Sequence, residues 1–197
     1  MEIDLPEINA IFDELLIIKD KFCINKLIIA GDTFDKINPT AKELDCFSSF
    51  LKKINLPIIL LIAKSHESIS QEESILNHFG ILKENIITCS EYQDGKNLYV
   101  GHFTLNESKF NYGTKRSKKE FAQFKHVILG HQHDFQVIKP NICHIGAIRY
   151  IDFSEDETLS KKIAICENYG EKSENWQFIN LFSPYPLQNI IVKNKNE

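Results

Sequence analysis

LIIAGDTFD, residues 27–35, is the stretch from which the rest of the chain is read. Four apolar residues, Leu27 to Ala30, predict a buried strand, and Gly31 lets the chain turn so that Asp32 projects from the strand's carboxyl end. That edge is where open α/β sheets place their ligands. Three later stretches repeat an apolar run ending in histidine: IILLIAKSH to His66, LYVGH to His102, and HVILGHQH to His131 and His133. The repetition predicts a scaffold that brings these strand ends together around metal.

Outward from that strand, Ile8, Ile11, Phe12, Leu15, Leu16 and Ile18 recur at helical spacing between Glu7 and about Lys21, with Pro6 suited to the first turn. Pro39 and Thr40 open a second helix to about Lys53, with Leu44, Phe47, Phe50, Leu51 and Ile54 along one face. The apolar run Pro57 to Ala63 then predicts a strand covered on both faces. Helix, strand, helix, strand implies crossover connections and a parallel sheet. A polar helix around Gln71 to Phe79 and a short strand at Asn85 to Thr88 follow.

The second half is short, β-rich and broken by turn residues. Strands are expected at Asn97–Gly101, His126–Leu129, Phe135–Ile138, Ile142–Ile145, Arg149–Phe153, Lys161–Cys166, Trp176–Asn180 and Asn189–Val192. The fold expected is therefore α/β: a two-sheet sandwich core flanked by helices, its second sheet largely antiparallel.

At 197 residues, 43% hydrophobic and 25% charged, the chain suits one domain with an ordinary core. No run of about 18 uncharged apolar residues occurs, so no membrane span is expected. The acidic start MEIDLPE is unlike a signal peptide, and five scattered cysteines fit free, mostly buried thiols in a reducing, cytoplasmic setting. A net charge of -4 gives no global attraction to nucleic acid, though it leaves room for a local basic patch.

Of the seven histidines, His78, His126 and His144 read as structural. His131 and His133 are two apart just past a strand, so alternation would set both rings on one face, within reach of adjacent metals. Imidazole suits manganese, iron, zinc and nickel, and a carboxylate such as Asp32 can bridge two cations.

The ordered motifs GDTFD (Gly31 to Asp35), KSHE (Lys64 to Glu67), GH (Gly101, His102) and GHQH (Gly130 to His133) resemble those of the calcineurin-like metallophosphoesterases. The likeness covers roughly Glu7 to Phe153. Within that superfamily the chain is similar to the SbcD-type nuclease subunit of double-strand-break repair, through GDTFDKINPTAKELDCFSSFL and GAIRYIDFSEDE. Carried over by position, Asp32 would bridge two metals, His133 would join it at one, and His102 and His131 would hold the other. His66 would lie beside the scissile phosphate as the catalytic proton donor or charge stabiliser. Asp35 would support a ligand or fix the turn. The cofactor implied is a divalent cation, manganese foremost, with iron, zinc or nickel as alternatives.

The resemblance also divides the chain into a phosphoesterase core at 1–155, C-terminal strands completing the second sheet at 156–192, and a flexible tail at 193–197. Two departures stand out. The family's first motif, D-x-H, is replaced at best by Asp4 and Pro6, 28 residues before Asp32, which reads either as an incomplete first strand or as a remnant. Lys64 and Ser65 stand where glycine and asparagine are expected; the lysine would contact phosphate, substitute for a missing cation's charge, or mark a site needing fewer metals.

Two functions follow from these readings. One is metal-dependent phosphodiester hydrolysis with DNA as substrate, helped by Lys109, Lys115, Arg116, Lys118, Lys119 and Lys125 between the last two motifs, a run that equally reads as a solvated loop. The other is a non-catalytic binding or scaffold protein on a decayed phosphoesterase fold, as in the retromer's phosphoesterase-like subunit. The SbcD likeness implies a homodimer through the Pro39–Lys53 helix, whose Phe47 and Phe50 read equally as core. It leaves little chain for binding an SbcC-like ATPase partner.

Overall fold

A strand that is apolar on both faces needs a cover on each side, and the chain supplies two. The computed structural model describes residues 5–63, 74–110, 113–151, 155 and 160–182. The first part runs α1 (Leu5–Lys21), β1 (Leu27–Ile29), α2 (Ala41–Ile54), β2 (Ile58–Leu61), α3 (Leu76–Leu82) and β3 (Ile86–Cys89). Then come β4 (Tyr92–Asp94), β5 (Leu98–Gly101), β6 (Thr104–Leu105), β7 (Lys115–Arg116), a 3-10 helix at Lys118–Phe121 and β8 (His126–Leu129). The last elements are β9 (Gln136–Lys139), β10 (Ile142–His144), β11 (Lys162–Glu167) and β12 (Asn175–Asn180). The class is α/β, as the sequence predicts.

β1, β2 and β3 form a three-stranded parallel sheet, with Leu27 opposite Ile58 and Ile58 opposite Ile86. On one face of β2, Ile58 and Leu60 pack with Phe47, Phe50, Leu51 and Ile54 of α2, and Phe12, Leu15 and Leu16 of α1 close over them. On its other face, Ile59 and Leu61 meet Leu98 and Val100 of β5. That apolar layer joins the first sheet to a five-stranded one, ordered β4-β5-β8-β10-β9. The far side of the second sheet packs Tyr99, Val127, Leu129 and Ile142 against Phe103, Leu105, Phe121 and Phe124.

Phe47 and Phe50 are thus core, 4% and 2% exposed, which removes them from any surface a partner would meet. All five thiols are free, but only Cys143 is buried and Cys23 is exposed. Among the described residues no helix is long and apolar enough to cross a membrane.

The second sheet differs from the expected antiparallel one. Its edges are antiparallel, but β5 pairs parallel with β8, and β8 with β10. β5 and β8 are joined by a crossover rather than a hairpin, and β9 runs at the far edge antiparallel to β10, which leaves β10 parallel to β8. β4, β6 and β7 carry no apolar run and so leave little trace in the sequence. Arg149–Ile151 is not a strand, because the Ile151 amide donates to Glu155 Oε1 at 2.7 Å rather than to a ladder. The expected strand at Asn189–Val192 lies outside the described residues.

Where the C-terminal strands were expected to complete the second sheet, β11 and β12 form a two-stranded antiparallel sheet of their own. Ile165 and Leu181 pack there against Ile11 and Ile18 of α1. Glu174, its side chain 1% exposed, anchors the hairpin to the second sheet. It accepts from Trp176 Nε1 at 2.7 Å, Lys125 Nζ at 3.0 Å, Gly170 N at 3.2 Å and Asn97 Nδ2 at 3.3 Å. Burial alone would raise its carboxyl, but these donors hold it down at about 2.

Two predictions follow from this packing. Thr40 caps α2: its Oγ1 accepts from the Glu43 amide at 3.3 Å while the Glu43 carboxylate accepts from the Thr40 amide. Thr40→Ala should cost about 1 kcal/mol, read as a lower urea midpoint with an unchanged slope. A carboxyl lowered on folding contributes stability above its ordinary value of 4.5 and loses it as pH falls through about 2. The stability gap between wild type and Glu174→Gln should therefore be widest near neutral pH and close over that window, measured by chemical unfolding at each pH.

Candidate metal centre

The ends of β1, β5 and β8, drawn from two different sheets, meet at one place. After β1 the chain passes Gly31 at φ +90° and Asp32 at φ +50°, a left-handed turn that aspartate tolerates better than most residues. After β5 comes His102. After β8, Gly130 leads into His131 at φ +75°, a conformation costing roughly 1–3 kcal/mol for a non-glycine residue. Such strain persists where the surroundings over-determine the backbone.

The glycines are packing requirements. A Cβ on Gly31 would lie 2.4 Å from His102 Nδ1, and one on Gly130 would lie 2.2 Å from the Ala30 carbonyl oxygen and 2.7 Å from His102 Nδ1. A Cβ on Gly113 would sit 2.7 Å from His131 Nε2. The rings are held against bare backbone.

His102 Nδ1 is 2.7 Å from the Ala30 carbonyl oxygen, which can only accept, so this nitrogen carries a proton, and Nε2 is the ring nitrogen that would offer a lone pair to a cation. That Nε2 lies 3.1 Å from Asp32 Oδ2 and 3.3 Å from His131 Nδ1. The donor atoms of Asp32, His102 and His131 all fall within 4.8 Å of one another. Metal–ligand bonds of about 2.0–2.2 Å set neighbouring donors roughly 3.0–3.5 Å apart around one cation, and the two short separations have that size. One carboxylate and two imidazoles, partly buried and pointed by a backbone carbonyl, fit a divalent transition cation.

His133 is not in this group. Its Nδ1 lies 3.4 Å from Glu155 Oε1, and its carbonyl accepts from Lys161 Nζ at 3.0 Å. Lys161 also donates to the Glu155 carboxylate and stands 4.6 Å over the Tyr150 ring. Burial would raise the Glu155 carboxyl, but His133, Lys161 and the Ile151 amide hold it at about 2. His66, Lys64, Ser65 and Asp4 lie outside the described residues. Asp35 is exposed and makes no hydrogen bond to the group among the described residues.

The remaining histidines stay outside the cluster. His78 is exposed on α3, and His126 Nε2 lies 2.7 Å from Glu174. His144 is fully buried beneath the GHQH turn, and burial pushes its imidazole down to about 4.

Most of the basic run is engaged with acids. Lys109 pairs with Asp134 at 3.4 Å, Lys118 with Glu107 at 3.2 Å and Lys125 with Glu174 at 3.0 Å. Arg116 pairs with Glu91 at 2.6 Å and Glu120 at 3.0 Å, its guanidinium stacked over Phe103 and Phe121. Lys115 and Lys119 form no ion pair among the described residues.

Sequence reading missed Glu155 and Lys161. Glu155 falls inside the segment GAIRYIDFSEDE, where nothing separates it from its acidic neighbours, and Lys161 carried no signal. No protein-family model matches the chain, and no curated protein matches it. The contact of Gly130 with the Ala30 carbonyl gives a direct test of the site's construction. Gly130→Ala should cost about 1–3 kcal/mol in urea unfolding, because the clash is with backbone. Titration calorimetry should also find weaker manganese binding in the folded variant.

Proposed function

We propose that this chain is a metal-dependent phosphoesterase. The observation that carries the reading is the convergence of Asp32 Oδ2, His102 Nε2 and His131 Nδ1, three donors from distant positions, on one point at the sheet edges. The order of GDTFD, GH and GHQH, resembling the calcineurin-like phosphoesterases, supports it. A divalent cation there, manganese foremost, would polarise a phosphoryl oxygen and lower the pKa of bound water. The chain's own part is to supply one negative charge from Asp32 and to hold two rings in place. His102 is oriented through its bond to Ala30, and His131 is aimed by its left-handed backbone. His66 is the candidate proton donor, and His133, steadied by Glu155, is the candidate ligand of a second cation.

A phosphodiester is the favoured substrate class, and DNA enters through the SbcD-like segments. Lys115 and Lys119 are the cations of the basic run that remain to meet a phosphate backbone.

A second reading, cation binding without turnover, is favoured by one observation. His133 faces Glu155, whose carboxylate is paired with the buried Lys161, so the histidine expected to hold a second cation is already engaged with an ion pair.

The test is hydrolysis of a generic phosphodiester and of DNA by the purified chain with manganese, beside Asp32→Asn and His131→Ala. Turnover that falls more than about a hundredfold in both variants is expected, since even outer partners of metal ligands cost ten- to a hundredfold. Activity unchanged by both substitutions would overturn the proposal. Manganese bound without turnover would favour the second reading.

A further inference from the structure

We infer that the buried pair Ser108 and His144 positions the cation site from beneath, by fixing the peptide that carries His131. This rests on the cation-site reading above. His144 lies at the end of β10 and is 0% exposed. Its Nδ1 is 3.0 Å from the Gly130 carbonyl oxygen and its Nε2 is 2.8 Å from Ser108 Oγ, which in turn accepts from the Leu105 amide at 3.0 Å.

The polarity of this chain of bonds is forced. A carbonyl has no proton to give, so Nδ1–H donates to Gly130, and Nε2 of the neutral ring is left to accept the Ser108 hydroxyl. The hydroxyl oxygen then receives the Leu105 amide. Every group in the series has one role, and none can be reversed without losing a bond inside the core.

What the series holds is the Gly130–His131 peptide plane. Of that plane the Gly130 carbonyl receives His144, while the Gly130 amide, in the preceding peptide, donates to the Gly101 carbonyl at 2.9 Å and fixes the glycine's other flank. His131 sits at φ +75°, and rotating the preceding peptide would let it relax to a negative φ. Freed from that plane, His131 would no longer have one fixed backbone orientation from which to hold Nδ1 3.3 Å from His102 Nε2. The bond from His144 opposes that rotation, because a turned peptide would withdraw the carbonyl oxygen from Nδ1 and bury a donor without a partner. Gly130 is hemmed in as well, since the Ala30 carbonyl and His102 Nδ1 fill the space a Cβ would take. His144 is therefore a positioning residue that touches no cation itself.

Two amide variants separate positioning from mere core packing. In His144→Asn the amide nitrogen can take the place of Nδ1 and keep the bond to Gly130; in His144→Gln the longer amide reaches the Nε2 position and keeps Ser108 instead. Manganese binding is measured by titration calorimetry on folded protein, with circular dichroism and thermal unfolding run in parallel. Expected is binding within about threefold of wild type for His144→Asn and roughly 10- to 100-fold weaker for His144→Gln, at similar losses of melting temperature. Ser108→Ala, the smallest change, should weaken binding by an intermediate factor. Ile18→Ala, in a separate cluster under α1, should lower the melting temperature and leave manganese affinity unchanged.

Equal affinities for the asparagine and glutamine variants would overturn the inference while leaving the cation site standing. If either fails to fold, the comparison of Ser108→Ala with Ile18→Ala decides, and equal manganese affinity in those two overturns it. Wild-type protein that binds no manganese would remove the cation-site reading and this inference together.

Discussion

One hydrogen bond ties the two halves of the molecule at the place where they matter to each other. His102, at the end of a second-sheet strand, donates to the carbonyl of Ala30, at the end of a first-sheet strand, at 2.7 Å. The bond exists only if the apolar layer of Ile59, Leu61, Leu98 and Val100 sets the two sheets in register, and only if Gly31 and Gly130 keep side chains out of the gap. It also decides which nitrogen of His102 faces Asp32. Packing, backbone permissiveness and tautomer are here one constraint seen at three scales.

The fold was legible where chemistry repeats along the chain. The unbroken apolar run of β2 announced burial on both faces, and the structure covers it with helices on one side and β5 on the other. Pro39 and Thr40 announced the start of α2. Strands such as Tyr92–Asp94 and Lys115–Arg116 gave no such signal, since two or three polar residues can join a ladder through backbone alone. The parallel centre of the second sheet was hidden as well. A crossover of irregular chain looks, in one dimension, like a succession of hairpin loops.

The candidate site was legible in part, for a different reason. Glycine followed by aspartate or histidine at a strand end is a local pattern, and three residues it marks, Asp32, His102 and His131, lie together in the structure. The partner of His133 was not local: Glu155 is one acid among several in its segment, distinguished only by burial and by Lys161, itself 3% exposed. The basic run misled in the opposite sense. Counted along the chain it is a cluster of cations, whereas in space Glu91, Glu107, Glu120, Asp134 and Glu174 answer most of them. Charge read in sequence gives the inventory, and only the fold gives the pairing.

Because the three converging donors belong to opposite layers, the pocket they make has no existence before the layers dock. Its occupant would act as a late rivet: unable to help nucleate either sheet, yet gripping both once assembled. Bound ion would thus slow the separation of the layers far more than it hastens their joining. Persistence of the native state, rather than speed in reaching it, is what such an ion would make responsive to its surroundings.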